Sequence, residues 1–507
     1  MKTDHKKYLI ISNSDSVRLD AIPVLPYADF TAAVETLLLK PETHCVNYFA
    51  FPDHDGLKFI ICIADDLQKE LCVLSHKQDA SGGRELASLT PRIPALHLFE
   101  REIHENFGVF FTGHPWLKPL RYAQERADQA ADMNAYPFYR IDSEELHEVS
   151  VGPVHAGIIE PGQFRFICNG ENVLHLEIQL GYQHRGIERL MLKKDGLLQR
   201  TILAESIAGD TAVGHSLAFA QVMESLAGIP LSRQLAIERA IALELERIAI
   251  HIGDIAALCT DIAYALGANI FGILRTGIIN YTQSWCGNRL GKGMVRVGGT
   301  YHPFNETLKK NLLDALSSFE KMFVELSHRA YKLPSVENRF DDIGTLSEQQ
   351  ARTIGAVGMV ARTTGIPRDI RMSHPFAGFK YYPYEPVVLS KGDVFSRFLL
   401  RRKEIKRSMA WIRDVLSHET FDEASERPVT LASLAPDSFC ISLTEGWRGE
   451  ICHCAVTGPS GDLRFYKVKD PSLHNWKALE LSLRNLEISD FPINNKSYDL
   501  SYCGFDL

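Results

Sequence analysis

The sequence lacks the short motifs by which several common enzyme classes are recognised. Its ten cysteines form no C-x-x-C pair, so neither an iron–sulfur cradle nor a zinc knuckle is indicated. It has no G-x-S-x-G nucleophile motif and no glycine-rich phosphate loop, and the glycines of residues 291–299 have the wrong offsets for a dinucleotide fingerprint. Direct binding of a nicotinamide cofactor is therefore not supported.

Long runs of charge and long apolar runs are also missing. With 55 basic and 63 acidic residues the net charge is −8, and no long basic run occurs, which argues against nucleic acid as a partner. No uninterrupted apolar stretch reaches the roughly eighteen residues of a membrane span, and the first apolar segment is too short for a secretory signal. We therefore expect a soluble protein with reduced, mostly buried thiols in the cytoplasm, associated with a membrane only through other subunits.

The chain has enough length and hydrophobicity for at least two domains, with 507 residues of which 45% are hydrophobic. Residues 1–120 predict a small α+β domain. Strand-like runs at 46–51 and 57–63 flank a turn and predict a hairpin, and the apolar clusters at 30–39 and 95–107 predict helices.

The polar segment 121–148 predicts a linker, because apolar density falls there. Residues 149–507 predict a mainly helical domain with small β-sheets, which has strands near its start and three more between 439 and 468. The predicted fold class of the whole chain is thus α+β.

Capping residues indicate where three helices of the second domain begin. Ser232 predicts the start of a long helix that runs to about Leu266. Ser347 predicts a capping box before a helix that ends near Gly365. Asp393 predicts the cap of another long helix.

Glu244, Arg247, His251 and Asp254 are spaced by three, four and three residues in the long predicted helix, so they lie on one stripe of an otherwise apolar segment. Charges in such a position must be paired or solvated. A structural ladder of salt bridges is the ordinary meaning of the stripe. A polar or proton network beside a buried site is the functional alternative.

The segment 362–376 is loaded with hydrogen-bond donors, and Gly365 and Pro367 predict that it forms a loop after the preceding helix. It contains Arg362, Arg368, Asp369, Arg371 and His374 within a largely apolar stretch. A solvated loop is one interpretation. The other is a buried ion-pair core or the wall of a pocket, which the apolar surroundings favour. The sequence supports these two interpretations about equally.

Two other clusters have ordinary interpretations. Cys452 and Cys454 point to one face of a predicted strand and His453 to the other, and two thiols make no closed metal site, so we expect strand packing. The helix after Asp393 has six basic residues between 397 and 407. They predict a solvated face, or a docking surface for an acidic neighbouring subunit.

Several segments together resemble one protein family. In the first domain EREIHENFGV and GHP resemble the smaller peripheral-arm subunit of respiratory complex I. In the second domain, segments resemble the large subunit of membrane-bound, energy-converting NiFe hydrogenases and the homologous quinone-site subunit of complex I. These segments are GPVH at 152–155, EPGQF at 160–164, GYQHRGIE at 181–188, ELERI at 244–248, RVGG at 296–299 and GDVFSR at 392–397. Fusion of the two domains in this order resembles the formate hydrogenlyase and hydrogenase-4 type.

The departures from this family concern its metal site. Family hydrogenases hold nickel and iron with four cysteines, and the resemblance places those ligands at Ala208, Thr211, Ser501 and Gly504. None of the four supplies a thiolate, and Cys503 lies one residue away from a ligand position. We therefore expect no NiFe centre. The family's C-terminal tail, which is removed after nickel insertion, is also missing beyond the second motif, in agreement with that expectation.

The resemblance to complex I has departures of its own. The family's quinone-binding histidine would fall near Ile159 and its quinone-binding tyrosine near Gly209, so both headgroup partners are missing, while His155 matches a different histidine. Glu160 matches the glutamate that hydrogenases of this group place beside the metal for proton transfer. The sequence thus resembles the hydrogenases more than complex I. The resemblance does not decide whether a quinone binds.

The resemblance implies a peripheral subunit on the cytoplasmic side of the cell membrane, in a hydrogenase-related or complex I-like oxidoreductase complex. The implied partners are an iron–sulfur small subunit, which would hold the nearest cluster, and antiporter-like integral membrane subunits. This chain itself is expected to bind no cofactor. The candidate polar or proton network consists of Glu160, Arg362, Asp369 and Arg371, together with Glu244 and Arg247.

Two functions stay open. The first is an electron-transfer subunit that reduces a quinone, polysulfide or other acceptor in the space left by the four missing ligands. The second is a non-catalytic subunit that preserves the fold for assembly and coupling. Whether the chain is itself an enzyme is left open, and a working NiFe hydrogenase is the least supported function.

Overall fold

The computed structural model shows an α+β protein whose two parts differ in helix content. It describes residues 7–54, 56–79, 83–422, 426–430 and 433–507. The N-terminal part is small and rich in strands, and the C-terminal part is mainly helical with small sheets, as predicted. Among the described residues, no helix is both long and apolar enough to cross a membrane.

An antiparallel sheet and two helices form the N-terminal part. Its elements are β1 (Leu9–Ile11), β2 (Ser16–Arg18), α1 (Tyr27–Leu38), β3 (Thr43–Asp53), β4 (Gly56–Asp65), β5 (Glu70–Asp79), β6 (Glu85–Ala87), α2 (His97–Phe107) and β7 (Phe110–Thr112). The sheet has the order β1–β5–β4–β3. The predicted hairpin and both predicted helices are confirmed, although Asp55 at the hairpin turn lies outside the described residues.

Both faces of this sheet are buried. Along β3, Tyr48 and Ala50 pack in the same core as α1, whereas Phe49 and Phe51 pack in the core shared with the C-terminal part. Phe49 stacks on Phe465 with ring centroids 5.4 Å apart. Because neighbouring side chains of a strand point to opposite faces, burial of both faces explains why this strand is a continuous apolar run.

The C-terminal part surrounds a long central helix. Its elements are β8 (His147–Val151), β9 (Gln163–Asn169), β10 (Asn172–Gln179), α3 (Ile187–Lys193), α4 (Leu197–Ala204), α5 (Ala212–Ala227), α6 (Arg233–Asp261), α7 (Ala265–Cys286), α8 (Glu306–Tyr331), α9 (Pro334–Phe340), α10 (Glu348–Thr353), α11 (Gly358–Thr363), α12 (Ile370–Ser373), α13 (Val394–His418), β11 (Ser438–Glu445), β12 (Glu450–Thr457), β13 (Leu463–Lys469), α14 (Ser472–Ser482), α15 (Phe491–Tyr498) and α16 (Tyr502–Asp506). The central helix α6 packs against α7, α13 and α15.

The three predicted caps are confirmed, but two predicted helices are interrupted. The side chains of Ser232, Ser347 and Asp393 each accept a hydrogen bond from the first turn of their helix. The helix that starts after Ser232 ends at Asp261 instead of Leu266, and α7 follows after a short break. The segment predicted as one helix to Gly365 is two helices, α10 and α11, because Gly355 between them and Gly358 at the start of α11 have positive φ.

The basic face of α13 is only partly solvated, which corrects the prediction. Arg397 and Arg401 are at most 1% exposed. Arg397 donates to Ser497 Oγ at 2.7 Å, and Arg401 donates to the main-chain oxygen of the same residue at 2.7 Å. Lys403 and Lys406 are exposed. A run of basic residues on a long helix thus contains both a buried and a solvated stripe.

A second sheet joins the two parts of the chain. Its order is β13–β12–β11–β2, so residues 16–18 near the N-terminus pair with a strand near the C-terminus. All ten cysteines are free thiols, and all except Cys503 are buried. Cys452 and Cys454 point to the same face of β12 with sulfur atoms 3.6 Å apart, and they pack against Asn47 of β3.

A buried row of charges crosses the junction of the two parts. His44 of β3 lies 2.7 Å from a carboxylate oxygen of Glu450 in β12. The other oxygen of that carboxylate accepts from Lys469 of β13. On the N-terminal side, His44 lies 3.4 Å from Asp66, which also pairs with Arg368 at 3.3 Å. The two parts of the chain are therefore joined by ion pairs as well as by apolar contacts.

This charge row predicts that stability depends on pH through His44. Burial and Arg368 act to lower the pKa of His44, but Asp66 and Glu450 outweigh them and raise it. The stabilisation from its charged form is therefore fully present below the unfolded pKa of about 6.5, and it is lost as pH rises through the higher folded pKa. In urea unfolding, wild type should lose stability relative to His44→Gln as pH rises from about 6.5 through the folded pKa. A difference between the two proteins that is the same at every pH would contradict this account.

Candidate functional site

The positions that correspond to the four family ligands lie on two neighbouring turns. Ala208 and Thr211 immediately precede α5, and Ser501 and Gly504 form the first turn of α16. All four are buried. We call these residues the vestigial site.

One arginine holds both turns of the vestigial site together. Arg185 belongs to the segment GYQHRGIE noted in the sequence. Its guanidinium donates to the main-chain oxygens of Ser206 at 2.6 Å and Ile207 at 2.9 Å, just before the first turn. The same guanidinium donates to the main-chain oxygen of Cys503 at 3.1 Å in the second turn. The frame of the two turns is thus built by hydrogen bonds to the backbone, which need no metal.

A second arginine lies between the two turns. Arg448 forms a two-pronged ion pair with Asp210, at 2.6 and 2.8 Å, and donates to Thr211 Oγ1 at 3.3 Å. It also donates to the main-chain oxygen of Asp499 at 2.5 Å. Its side chain is 5% exposed. A buried cation with a paired carboxylate therefore occupies the region where thiolates would be expected.

A carboxylate fills the space beside Gly504. A Cβ atom at this position would lie 2.7 Å from Cγ and 2.8 Å from Oδ2 of Asp470, closer than real side chains approach. Asp470 is fixed there, because its Oδ1 accepts from the main-chain nitrogen of Ser472 at 2.8 Å and its Oδ2 lies 3.0 Å from His215 Nε2. Asp470 and His215 are at most 1% exposed.

The vestigial site does not fit a nickel–iron centre. Ala208 offers a methyl group and Gly504 no side chain, while the Ser501 hydroxyl accepts from the main-chain nitrogen of Gly504 at 2.9 Å as a helix cap. The nearest thiol is that of Cys503, 3.4 Å from Ser501 Oγ. Burial, followed by the charge of Glu160, raises the pKa of Cys503 to about 11, so the thiolate form is disfavoured. Soft metals need thiolate ligands, which these residues do not supply.

The crowding at Gly504 predicts a destabilising effect of a single methyl group. Gly504→Ala should cost about 1–3 kcal/mol, since Asp470 must move to admit the added Cβ. Gly209→Ala is the matched control, because a Cβ at that glycine of the same site meets no atom within 4 Å. The free energies of unfolding in urea measure both effects. A Gly504→Ala protein as stable as the control would show that Asp470 does not fill this space.

Five of the six predicted network residues meet in one buried ion cluster. Arg371 donates to Asp369 at 2.6 Å and to Glu244 at 2.9 Å. Arg362 lies 3.4 Å from Asp369, and Arg247 lies 3.3 Å from Glu244. None of the five side chains is exposed. The arginine loop is therefore a buried ion-pair core and not a solvated loop, and the α6 stripe is part of the same cluster.

Two acidic members of the ion cluster were not predicted. Arg362 donates to Glu445 at 2.7 Å and to Glu404 at 2.8 Å, and His251 of the predicted stripe lies 2.7 Å from Glu404. Glu404 follows Arg401 by three residues on the buried stripe of α13. That spacing is a signal in the sequence. Glu445 ends a buried strand and has no comparable signal.

Burial and neighbouring charges divide the acids of the ion cluster into two kinds. Burial acts to raise the pKa of Glu404, but Arg362 and His251 outweigh it and hold the pKa well below its usual range. For Glu445, burial together with Asp369 outweighs the arginines and raises the pKa to about 7. Glu445 is therefore the member of the cluster that can change its charge near neutral pH.

Glu160 lies apart from the ion cluster, which corrects its grouping with the arginines. It is half-buried beside the second turn of the vestigial site, where its charge raises the pKa values of Cys503, Tyr502 and Asp506. Among the described residues, no hydrogen bond or ion pair joins it to the arginine loop. The predicted network is thus two sites, one at the vestigial site and one at the ion cluster.

A line of carboxylates and arginines runs from the vestigial site to Arg401, which lies one helical turn from Glu404 of the ion cluster. Arg401, one turn before Glu404 on α13, donates to Asp254 at 2.8 Å. Burial and the facing carboxylate of Asp499 raise the pKa of Asp254 to about 8. Asp499 in turn lies 3.9 Å from Arg448. A change of charge at one site can therefore alter the electrostatic potential at the other through three intervening ionisable groups.

Comparison with protein families gives two matches in the order predicted. Residues 35–132 match the family of the 30 Kd subunit of respiratory-chain NADH dehydrogenase. Residues 269–430 match the family of the 49 Kd subunit of the same enzyme. The first match lies mainly in the N-terminal part and the second in the helical C-terminal part.

Individual relatives match both parts at once. Hydrogenase-4 component G of Escherichia coli is 28% identical over 83% of this chain and 75% of its own. Formate hydrogenlyase subunit 5 of the same organism is 28% identical over 82% of this chain and 76% of its own. The C/D subunit of NADH-quinone oxidoreductase from Phocaeicola vulgatus is 25% identical over 86% of this chain and 89% of its own.

A solved structure confirms the fold. A chain in the structure of the membrane-bound sulfane sulfur reductase, an archaeal respiratory membrane complex, superposes with a TM-score of 0.65 and 18% identity, over 73% of this chain and all of that one. Fold and matches define a class of fused subunits, in which a 30 kDa-type domain precedes a 49 kDa-type domain. This chain resembles the NiFe hydrogenase large subunits and complex I subunits, in the fused form of hydrogenase-4 and formate hydrogenlyase.

Proposed function

We propose that this chain is a peripheral subunit of a membrane-associated redox complex of the hydrogenase-4 or complex I kind, without a NiFe centre of its own. In this proposal it couples electron transfer to ion translocation elsewhere in the complex. The observation that carries this proposal is the filling of the vestigial site. Asp470 occupies the space beside Gly504, and the buried Arg448 lies between the two turns. Both side chains occupy space beside positions at which the resemblance places thiolate ligands, which supports a coupling role over acceptor reduction at this site.

The ion cluster supports the coupling role. It keeps three arginines and four acids away from water, although hydrophobic residues of similar volume would stabilise a core as well or better. Glu445, whose pKa is raised to about 7, gives the cluster two charge states near neutral pH. A buried network with two charge states can shift conformation when a neighbouring group changes charge.

The proposed partners are those that the family resemblance implies. An iron–sulfur subunit would dock beside the vestigial site, on the side of the half-buried Cys503, and antiporter-like membrane subunits would complete the complex. One relative is named as a subunit of a membrane-bound hydrogenase, and the structural neighbour is part of a respiratory membrane complex. We place the chain on the cytoplasmic side of the membrane.

The coupling role can be tested in the assembled complex. Arg371→Lys keeps the charge but loses the two-pronged contact with Asp369 and Glu244. The rate of electron transfer in detergent should be retained, while ion translocation per electron in vesicles should fall several-fold. Arg352→Lys is the control, because that arginine forms an exposed pair with Glu348. Unchanged translocation by an assembled Arg371→Lys complex would contradict the coupling role.

The second candidate function is acceptor reduction at the vestigial site. The half-buried Cys503 with Glu160 beside it favours this alternative, since it is the one cysteine that is not fully buried. Cys503→Ser decides between the two candidates. A fall of electron transfer in the intact complex by about tenfold or more, equivalent to 1.4 kcal/mol, would favour acceptor chemistry and contradict a purely coupling role.

A further inference from the structure

A continuous row of hydrogen-bonded side chains crosses the interior and ends at Asp470. The Tyr466 hydroxyl lies 2.8 Å from His453 Nδ1, and His453 Nε2 lies 3.1 Å from His215 Nδ1. His215 Nε2 completes the row at 3.0 Å from Asp470 Oδ2. The four residues come from β13, β12, α5 and the loop after β13. All are at most 1% exposed.

The row begins at a cavity beside β13, the edge strand of the second sheet. Tyr466 is among the residues that line a cavity of about 430 Å³ between α2 and α3. A single water needs only about 10–15 Å³ of such space, so the cavity can hold several. Glu105, His184, Glu188 and Arg189 also line it and provide polar partners for water.

The hydrogen bonds of the row can be assigned in one direction. Burial acts to raise the pKa of Asp470, but the hydrogen bond from His215 outweighs it, so the carboxylate is charged and accepts. His215 therefore donates from Nε2, and in the neutral tautomer its Nδ1 accepts from His453 Nε2. His453 Nδ1 then accepts from the Tyr466 hydroxyl. Both imidazoles are neutral in this arrangement, and each ring nitrogen has one partner.

We propose that Tyr466, His453, His215 and Asp470 form a proton relay from the cavity to the vestigial site. A water of the cavity gives a proton to the Tyr466 oxygen and remains in the cavity as hydroxide, while the proton of Tyr466 itself passes to His453 Nδ1. The Nε2 proton of His453 passes to His215 Nδ1, and the Nε2 proton of His215 passes to Asp470. One proton enters, the carboxylate becomes neutral, and every hydrogen bond of the row is reversed.

A buried histidine in this protein does not always have hydrogen-bond partners on both ring nitrogens, as His215 and His453 do. His474 is equally buried and only a few residues from Asp470, yet neither of its ring nitrogens has a partner. Other charged or titratable groups face the row without interrupting it: Arg200 lies beside Tyr466, the thiols of β11 and β12 lie behind it, and Arg448 lies beside Asp470. The relay would supply protons for the proposed coupling role. Its biological purpose rests on that proposed function, whereas the row of hydrogen bonds does not.

Exchange of the buried ring protons tests the relay in the purified full-length chain. With nitrogen-15-labelled histidine, NMR resolves the Nε2 protons of His215 and His453 and their rates of exchange with deuterated water. Without a relay these protons exchange only when the core opens. Tyr466→Phe should therefore slow exchange at both histidines by about tenfold or more, the protection expected when opening becomes the only route. Tyr48→Phe is the matched control, because this buried hydroxyl has no hydrogen-bond partner.

Each outcome of the experiment decides for or against the relay. Slower exchange in Tyr466→Phe, with rates in Tyr48→Phe close to wild type, supports it. Equal rates in wild type and Tyr466→Phe, or a His215 that has its proton on Nδ1, overturn it. Where Tyr466→Phe does not fold, His453→Gln cuts the row at its middle, and an unchanged rate at His215 then overturns the relay. None of these measurements depends on the complex, so they stay separate from the test of the coupling role.

Discussion

Arg362→Ala is expected to reduce the free energy of unfolding by about 3–5 kcal/mol, which is a large part of the stability of a typical protein. The guanidinium is fully buried and pairs with Glu445 at 2.7 Å and Glu404 at 2.8 Å. Its removal leaves two carboxylates in a water-free core with fewer cations to balance them. The cost comes mainly from these uncompensated charges, and less from the lost contacts themselves.

Urea unfolding of the purified chain measures this effect. Arg352→Ala provides the control, because the same side chain there forms an exposed pair with Glu348 at 2.8 Å. Exposed pairs contribute about 0–1 kcal/mol. If Arg362→Ala were no more destabilising than the control, the ion cluster would not be the closed network of ion pairs described above.

Glu450→Ala is expected to have an effect of similar size, about 3–5 kcal/mol, at the junction of the two parts of the chain. Its carboxylate binds Lys469 from one side and His44 from the other, and neither glutamate nor lysine is exposed. Without the carboxylate, a buried ammonium group remains unpaired. The loss should also loosen the N-terminal sheet from β12, which limited proteolysis can follow.

A double variant separates the cost of the unpaired charge from other effects of the substitution. Glu450→Ala with Lys469→Met removes both charges and should recover stability to within about 1–2 kcal/mol of wild type, since apolar replacement of a buried pair is often neutral. A double variant as unstable as Glu450→Ala alone would show that lost packing, and not the unpaired lysine, causes the effect.

The order of domains and the first residues of three helices could be predicted because their signals are local. Ser232, Ser347 and Asp393 each cap the helix predicted for them, since a side-chain oxygen before an apolar periodic run has few other uses. The meeting of Arg371 with Glu244 could be predicted only as one of two alternatives. The spacing of residues predicts that charges lie on one stripe of a helix, but it does not predict which residues pack against that stripe.

Features that depend on distant partners could not be predicted. Glu445 and Arg362 are 83 residues apart, and their contact follows from how β11 packs against α11 and α12. His453 looked like an ordinary strand residue, because its partners His215 and Tyr466 come from separate elements. Glu160 was grouped with the arginines on family resemblance, whereas the fold places it beside Cys503. Contacts over such separations are decided by tertiary packing.

The central claim is that a hydrogenase large-subunit frame persists here around a site that cannot hold its metals. The most direct test is elemental analysis of the purified complex for nickel, after this chain has been separated from its partners under native conditions. The account predicts no stoichiometric nickel in this chain, because Ala208, Thr211, Ser501 and Gly504 supply no thiolate and Asp470 fills the space beside Gly504. About one nickel per chain, lost on replacement of residues at the vestigial site, would contradict it.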